Sequence, residues 1–229
     1  EIMPSLVGSE MCIRDRFTDH PRYNWQFRPG SIRKGSINAN DAFYQGIETL
    51  GNAIPDMKDS PLFAVDMVEM TVQYLGGKVE ILAQAIDLAY QNGDMDKATA
   101  MEAEFEVLIL GADRLLCSHP TLRLENWLAY ASNWGGTLEL KNYYERNARR
   151  IVTVWGPPVD DYSARIWSGL LRDYYLPRWK QYFAAKRTGK ASDITGWELS
   201  WVEKERGLSE AEPYKDVLAG CTELIARAK

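Results

Sequence analysis

Acidic side chains are numerous in this sequence and could act as general acids or bases. Glycoside hydrolysis needs two carboxyl groups that face each other across a sugar, one of them with a raised pKa. The spacing of the acidic residues along the sequence does not show whether any two of them face each other in this way. We interpret most of these residues as solvated helix faces, and Asp160 and Asp161 as the start of a helix. The acidic residues considered are Asp66, Glu69, Glu80, Glu102, Glu104, Glu106, Glu125, Asp160, Asp161 and Asp173.

Histidine and cysteine are too sparse for most other catalytic arrangements. His20 and His119 each precede a proline, which places them in loops and disfavours an H-E-x-x-H helix, a di-iron bundle and a Ser-His-Asp triad. The cysteines, Cys12, Cys117 and Cys221, are too few and too scattered for a disulfide framework or a zinc site. We therefore predict no metal and no cofactor.

The aromatic content is the remaining chemical signal, with eight tryptophans in 229 residues. Tryptophan and tyrosine can stack on sugar rings, but they also anchor helical cores. Trp167 and Trp179 stand at helical spacing, which favours the core. The others considered stand near predicted helix ends or in loops, where packing and exposure to a partner are about equally consistent: Trp25, Trp127, Trp134 and Trp155.

We expect the segment from Val154 to Phe183 to form the central packing element of the core. It begins with the helix stop Gly156-Pro157-Pro158, and Asp160-Asp161 then marks a new helix start. Apolar and aromatic residues recur from Ile166 onward at intervals of three and four, which makes one helical face almost entirely apolar. Pro177 removes a backbone donor inside this run. The segment therefore predicts a proline-kinked aromatic helix.

The rest of the chain also predicts helices, and no segment alternates apolar and polar residues as a strand does. The short connection at Gly93-Asp94 predicts an antiparallel hairpin, and Gly76-Gly77 predicts either a bend or a close helix approach. We expect an all-α fold, an irregular bundle of about eight helices that includes antiparallel hairpins. The predicted spans are 41–52, 61–92, 95–119, 120–134, 137–155, about 195–206 and 214–228.

Charge and hydropathy exclude two classes of partner. The formal net charge is -5, whereas a surface that binds nucleic acid needs an excess of Lys and Arg. The longest apolar runs are far shorter than a membrane span.

Residues 1–16 have no period that continues into the next segment and resemble translated sequencing-adapter sequence, of which MCIRDR is the recognisable part. We expect them to be foreign to the native protein, whose domain then spans 17–229.

Several motifs in the second half of the chain follow a familiar order. They are YYERNAR at 143–149, TVWGP at 153–157, DYSA at 161–164, WSGL at 167–170 and DYYLPRW at 173–179. This succession resembles the C-terminal helical domain of the alpha-N-acetylglucosaminidase family, over 120–183 most densely and from Arg28 onward more loosely.

The resemblance implies a retaining glycosidase that removes terminal alpha-linked N-acetylglucosamine from glycans. In that family the two catalytic glutamates lie on a preceding (β/α) barrel, whose loops build the active site. This chain shows no strand–helix alternation, so we expect the catalytic residues upstream and none within it. The resemblance further implies that the helical domain packs on the barrel, helps to close the substrate pocket and works in the bacterial periplasm or outside the cell.

The resemblance also suggests substrate-binding residues. Arg28-Pro29 with Ser31 resembles an R-P-S segment that follows the barrel. The family has a pocket tryptophan shortly after it, where this sequence has Gly35-Ser36-Ile37-Asn38, and Trp25 could substitute. Arg28 could instead form a surface or interdomain salt bridge. The predicted substrate-binding residues are Trp25, Arg28, Ser31, Trp127 and Trp155.

Two other functions compete with this interpretation. The chain could be a free-standing helical module that binds protein or glycan through its aromatic surface, or, less consistently with the pattern, an autonomous hydrolase that uses carboxylates within its helices. An accessory domain separated from a barrel should expose an unusually large apolar face. We therefore expect such a face if the family interpretation holds.

Overall fold

The computed structural model describes residues 41–156, 163–203, 208 and 211–229, and these residues form helices without strands. The α-helices in this part of the chain are α1 (Asp41–Gly51), α2 (Ile54–Met57), α3 (Pro61–Gln91), α4 (Met95–Leu116), α5 (Leu124–Asn133), α6 (Leu138–Ile151), α7 (Leu176–Thr188), α8 (Ile194–Glu203) and α9 (Val217–Arg227). A π-helical turn, Leu171–Tyr175, leads directly into α7. The all-α prediction is confirmed. Residues 1–16 and the predicted loop at 17–38 lie outside the described residues.

The longest helices, α3 and α4, form the predicted antiparallel hairpin. Ser60 begins α3, because its side chain accepts a hydrogen bond from the Phe63 backbone N–H at 3.3 Å. Gly93 makes the turn with a φ of +76°, a backbone conformation that glycine adopts without steric cost. Asp94 then begins α4 by accepting from the Lys97 N–H at 3.2 Å. Local signals in the sequence therefore define this hairpin.

Helix α9 lies against the hairpin at a close approach. A Cβ atom added to Gly111 of α4 would lie 2.5 Å from a Leu224 methyl carbon, so a larger residue would require the Leu224 side chain to move. Cys221 and Leu224 of α9 are buried there. The glycines Gly76 and Gly77 are also buried, and α3 runs through them without interruption.

Helix α7 carries the aromatic core. The Phe105 ring lies 5.5 Å from that of Trp179 and 5.3 Å from that of Phe183, in edge-on contacts that aromatic pairs favour. Trp179 is buried, and Trp167 is partly buried against the same core, as the sequence predicts. The Arg178 side chain is fully buried and donates to Glu198 of α8 at 3.1 Å.

The start of the central helix differs from the prediction. Residues 163–169 are not helical, and Ser168 instead forms a parallel β-bridge with Arg123. Asp160 and Asp161 lie outside the described residues. The deviation from α-helical geometry falls in the π turn, immediately before Pro177. The helix prediction is therefore correct for 171–183, which includes the π turn, and wrong for 163–169.

The apolar period of 61–92 also predicts that Leu62 is buried, and this prediction is wrong. Leu62 is 78% exposed, whereas its neighbour Phe63 in the same turn is buried. No helix among the described ranges is long and apolar enough to span a bilayer.

Candidate functional site

Helices α5 and α6 form a second antiparallel pair, joined by a tight turn. A Cβ atom added to Gly135 would lie 2.4 Å from the backbone nitrogen of Lys141, so the turn leaves no room for a side chain. Thr137 then begins α6 by accepting from the Leu140 N–H at 3.3 Å. The sequence Gly-Gly-Thr therefore fixes where α5 ends and α6 begins.

Aromatic side chains line one face of α5. Trp127, Tyr130 and Trp134 stand at positions i, i+3 and i+7, a spacing that places side chains on the same side of a helix. They are 36%, 68% and 83% exposed, respectively. A helix face of this composition is normally buried, so its exposure is unusual.

Helix α6 adds further apolar groups to this pair. Leu140, Tyr143 and Tyr144 are 44%, 57% and 36% exposed, and the two tyrosine rings meet edge-on at 5.6 Å. We call the six side chains of this surface the hairpin face. It consists of Trp127, Tyr130, Trp134, Leu140, Tyr143 and Tyr144.

The hairpin face is attached to the core at its Trp127 end. The Trp127 indole N–H donates to the Ala148 carbonyl at 3.1 Å, and its ring lies 5.9 Å from that of Trp167. The Leu124 N–H donates to the Ser168 carbonyl at 3.0 Å, and the Ser168 N–H donates to the Leu122 carbonyl at 2.8 Å. These contacts join α5, α6 and the segment that precedes the π turn.

A buried carboxylate holds that segment in place. Asp113 of α4 accepts hydrogen bonds from the Gly169 N–H at 2.7 Å and the Ser168 hydroxyl at 3.2 Å. It also pairs with the Arg172 guanidinium at 2.6 Å. Burial raises the pKa of the Asp113 carboxyl, and the Arg172 charge and these hydrogen bonds oppose that rise. Because its oxygens are occupied within the fold, we assign Asp113 a structural role.

Trp155 follows α6 in a strained conformation. Its φ of +47° lies in the left-handed region, which bulky side chains rarely adopt. Its N–H donates to the Arg150 carbonyl at 2.8 Å, which folds the chain back over the end of α6. The side chain is 41% exposed. Strain of this kind, retained at an exposed aromatic residue, is typical of functional sites.

Ion pairs fix α6 on its other side. Glu203 of α8 binds Arg150 at 2.7 Å and Arg146 at 3.5 Å. Arg149 is buried, pairs with Glu145 and lies with its guanidinium carbon 5.9 Å from the Trp201 ring. Burial lowers the pKa of Arg149, and the Glu145 carboxylate opposes that change. The charged side of α6 therefore faces α8.

The described carboxylates singled out from the sequence are mostly bound by basic side chains. Glu102 pairs with Arg187, Glu104 with Arg227 at 2.6 Å, and Glu106 with Lys180 at 2.5 Å. Glu125 pairs with Arg123 at 3.2 Å, and Asp173 pairs with Arg172 at 3.3 Å. Asp66 and Glu69 are exposed on α3. These paired carboxylates are therefore engaged in ion pairs within the fold.

Metal-binding clusters and surface grooves are the remaining kinds of site in the described residues. Within the residues that the structure describes, no group of three or more His, Cys, Asp or Glu side chains could hold a metal ion. A groove of about 540 Å³ lies where α7 leads into α8, lined by Tyr182, Lys186, Lys190 and Ile194 among others. Lys186 is already paired with Asp87 at 2.8 Å, so its charge serves the fold.

Comparison with known proteins identifies the family. Residues 9–227 match the model of the alpha-N-acetylglucosaminidase C-terminal domain. The chain belongs to this family. It is 27% identical over 179 residues to human alpha-N-acetylglucosaminidase, a match that covers 76% of this chain and 24% of the relative.

Solved structures give the same result. Structures of the family 89 glycoside hydrolase from Clostridium perfringens, in complex with 2-acetamido-1,2-dideoxynojirmycin and with PUGNAc, match at a TM-score of 0.73 and 27% identity. Each match covers 82% of this chain and 23% of the solved chain. The chain therefore spans about a quarter of the length of the relatives that it matches.

The structure describes two of the five predicted site residues. Trp127 of α5 donates to the Ala148 carbonyl in the last turn of α6, and Trp155, which follows α6, donates to the Arg150 carbonyl. Trp25, Arg28 and Ser31 lie outside the described residues, so their role stays a prediction. Sequence reasoning missed Tyr130 as a surface residue, although its spacing from Trp127 and Trp134 on one helix was a readable signal.

Proposed function

We propose that this chain is the C-terminal accessory domain of a glycoside hydrolase that releases terminal alpha-linked N-acetylglucosamine. The observation that carries the proposal is the extent of the match, which covers nearly the whole chain but only about a quarter of each relative. The human relative bears the name alpha-N-acetylglucosaminidase. The catalytic carboxylates then belong to the remaining part of the polypeptide, a (β/α) barrel on which this domain packs.

The proposed contribution to the reaction is to help close the substrate pocket. The substrate-binding residues proposed for this role are Trp25, Arg28, Ser31, Trp127 and Trp155. Of the described pair, Trp155 has the stronger support, because an exposed aromatic side chain is held there on a strained backbone. Trp127 helps to hold that part of the domain together, because its indole N–H joins α5 to α6.

A location outside the cytoplasm is part of the proposal. Enzymes that degrade glycans act where their substrates are, and we place this one in the bacterial periplasm or outside the cell. Fractionation of the source cells, followed by detection of the polypeptide with an antibody against this domain, tests the location.

Enzyme assays test the proposed function directly. The chain of 229 residues and the full polypeptide that carries it are incubated with an aryl alpha-N-acetylglucosaminide. We expect turnover by the full polypeptide and none by the chain alone, because the catalytic carboxylates lie elsewhere. Robust turnover by the chain alone would contradict the proposal.

A second candidate function is a free-standing module that binds protein or glycan. The exposed aromatic rings of the hairpin face are the observation that favours it. Tryptophan fluorescence separates the two functions, because a glycan-binding module should respond to oligosaccharides that end in N-acetylglucosamine without any other domain present. No response by the isolated chain, together with turnover by the full polypeptide, favours the accessory domain.

A further inference from the structure

We infer that the hairpin face is the surface through which this domain docks on the remainder of its own polypeptide. The inference rests on the proposed function, and it names the part of the domain surface that carries the contact. Its occupant is a protein surface of apolar character, supplied by the part of the polypeptide that this chain does not include.

The first observation behind the inference is where the exposed aromatic rings lie. Within the described residues, every exposed aromatic side chain lies between Trp127 and Trp155. Exposed aliphatic and methionine side chains elsewhere, such as Leu62, Ile81 and Met95, are scattered over separate elements. Scattered apolar side chains are ordinary on a protein surface, whereas a contiguous patch marks an interaction site.

The composition of the face favours a protein surface over a sugar. Leu140 stands in the face, and Leu138 beside it is 75% exposed. Neither side chain can form a hydrogen bond, and a hydroxyl-rich pyranose would bury them poorly. Tyrosine and tryptophan are enriched at protein interfaces, where a ring buries a large apolar area and its polar atom reaches the wet rim.

The dimensions fit the same occupant. The side chains at i, i+3 and i+7 of α5 extend about 10 Å along the helix axis, and α6 packs directly against α5. A single sugar ring needs one or two aromatic side chains, whereas this face offers five. About three-quarters of each relative lies outside the matched region, so a large apolar partner within the same polypeptide is available.

The hairpin is also held rigidly, as a docking surface requires. The Trp127 indole bond joins α5 to α6, and the Arg123–Ser168 bridge and the Glu203 ion pairs attach the two helices to the rest of the domain. A surface that is already ordered loses less conformational entropy when it binds. The hairpin face can therefore form its contacts without rearrangement.

Hydroxyl-radical footprinting tests the inference. Oxidation of Tyr130 and Trp134 is measured by mass spectrometry in the isolated chain and in the full polypeptide. We expect both to oxidise readily in the isolated chain and severalfold less in the full polypeptide, because the partner surface covers them. Met95, which is 43% exposed on α4, serves as the control and should oxidise equally in both.

Matched substitutions sharpen the test. Trp134→Glu in the full polypeptide should restore the oxidation of Tyr130, because a carboxylate cannot be buried against an apolar partner. Leu62→Glu, at a position 78% exposed on α3, should leave Tyr130 protected. Both positions are exposed in the isolated chain, so circular dichroism should show that either variant of that chain keeps its helices.

Three results would overturn the inference. They are equal oxidation of Tyr130 in both forms, protection in the isolated chain that rises with its concentration, and protection of that chain by N-acetylglucosamine oligosaccharides alone. The second result would indicate another copy of the chain, and the third a glycan. Turnover by the full polypeptide is scored separately, so a failed docking site is distinguished from a failed enzyme assignment.

Discussion

The carboxylate of Asp113 accepts a hydrogen bond from the backbone N–H of Gly169 at 2.7 Å, across 56 residues of sequence. It also accepts from the Arg172 N–H at 3.3 Å, so it serves as a helix cap supplied by a different helix. The segment held in this way pairs with the residues that begin α5. Asp113 therefore determines where the central helix starts and how the α5–α6 pair is attached.

Asp113→Asn should destabilise the domain strongly. The substitution keeps the shape of the side chain but removes the charge that pairs with Arg172 and one of the two acceptor oxygens. Loss of one partner of a buried ion pair costs about 3–5 kcal/mol of unfolding free energy. Urea denaturation measures the change. Glu125→Gln, which breaks the exposed pair with Arg123, is the control and should cost no more than about 1 kcal/mol. Equal losses in the two variants would contradict the role of Asp113.

The glycine pair between α5 and α6 offers a second matched comparison. Gly135→Ala places a Cβ atom 2.4 Å from the Lys141 backbone nitrogen, whereas a Cβ atom on Gly136 meets nothing within 4 Å. Overpacking against a backbone that cannot move aside costs about 1–3 kcal/mol. We expect Gly135→Ala to lower the denaturation midpoint and Gly136→Ala to leave it nearly unchanged. Similar midpoints for the two variants would show that the turn can relax.

Trp155 can be tested for backbone strain independently of its side chain. Trp155→Gly and Trp155→Ala both remove the ring, but only glycine adopts a φ of +47° without a steric penalty. Alanine in the left-handed region is disfavoured by about 1–2 kcal/mol. We expect the glycine variant to unfold at the higher urea concentration. If Trp155 contacts substrate, both variants should lower kcat/KM of the full polypeptide. Equal stability of the two variants would contradict the strain.

Alkaline pH should weaken the domain through Cys221. Burial raises the pKa of its thiol from an ordinary value near 9 to about 11. Between those values the unfolded thiol loses its proton while the folded thiol keeps it, so the free energy of unfolding falls as pH rises. A difference of about two units between the folded and unfolded pKa values corresponds to about 3 kcal/mol of unfolding free energy. The full stabilisation is therefore present below about pH 9.

The control for this pH dependence is Cys221→Ala, which has no thiol to titrate. The difference in unfolding free energy between the native chain and the variant should shrink as pH rises from about 9 to about 11, the two pKa values that define the window. A difference that stays constant across this range would contradict the raised pKa.

Local signals were enough to predict much of the fold. Ser60-Pro61, Gly93-Asp94 and Thr137 act on residues within one helical turn, and each begins or ends a helix where the sequence predicts it. The start of the central helix was missed, because Ser168 is held by Asp113 and by a bridge to Arg123, which are distant in sequence. The apolar periodicity of a sequence carries no information about contacts between residues that are so far apart along the chain.

The candidate site was predictable only in part. Trp127 and Trp134 look alike in the sequence, yet one donates a hydrogen bond inside the α5–α6 pair and the other is 83% exposed. That difference depends on which elements cover α5. The family resemblance, by contrast, follows from residue identities and spacings that the chain itself carries, and the family match confirms it.

The link between Asp113 and Ser168 has a consequence for biosynthesis. Fifty-five residues separate them, so the ribosome, which adds about 5–20 residues per second, needs several seconds to deliver the partners of this carboxylate. During that interval the α3–α4 hairpin can form, but its charged acid must remain in water. The nascent chain therefore cannot seal its interior until the segment up to Arg172 has emerged, which makes closure of the domain a late event in translation.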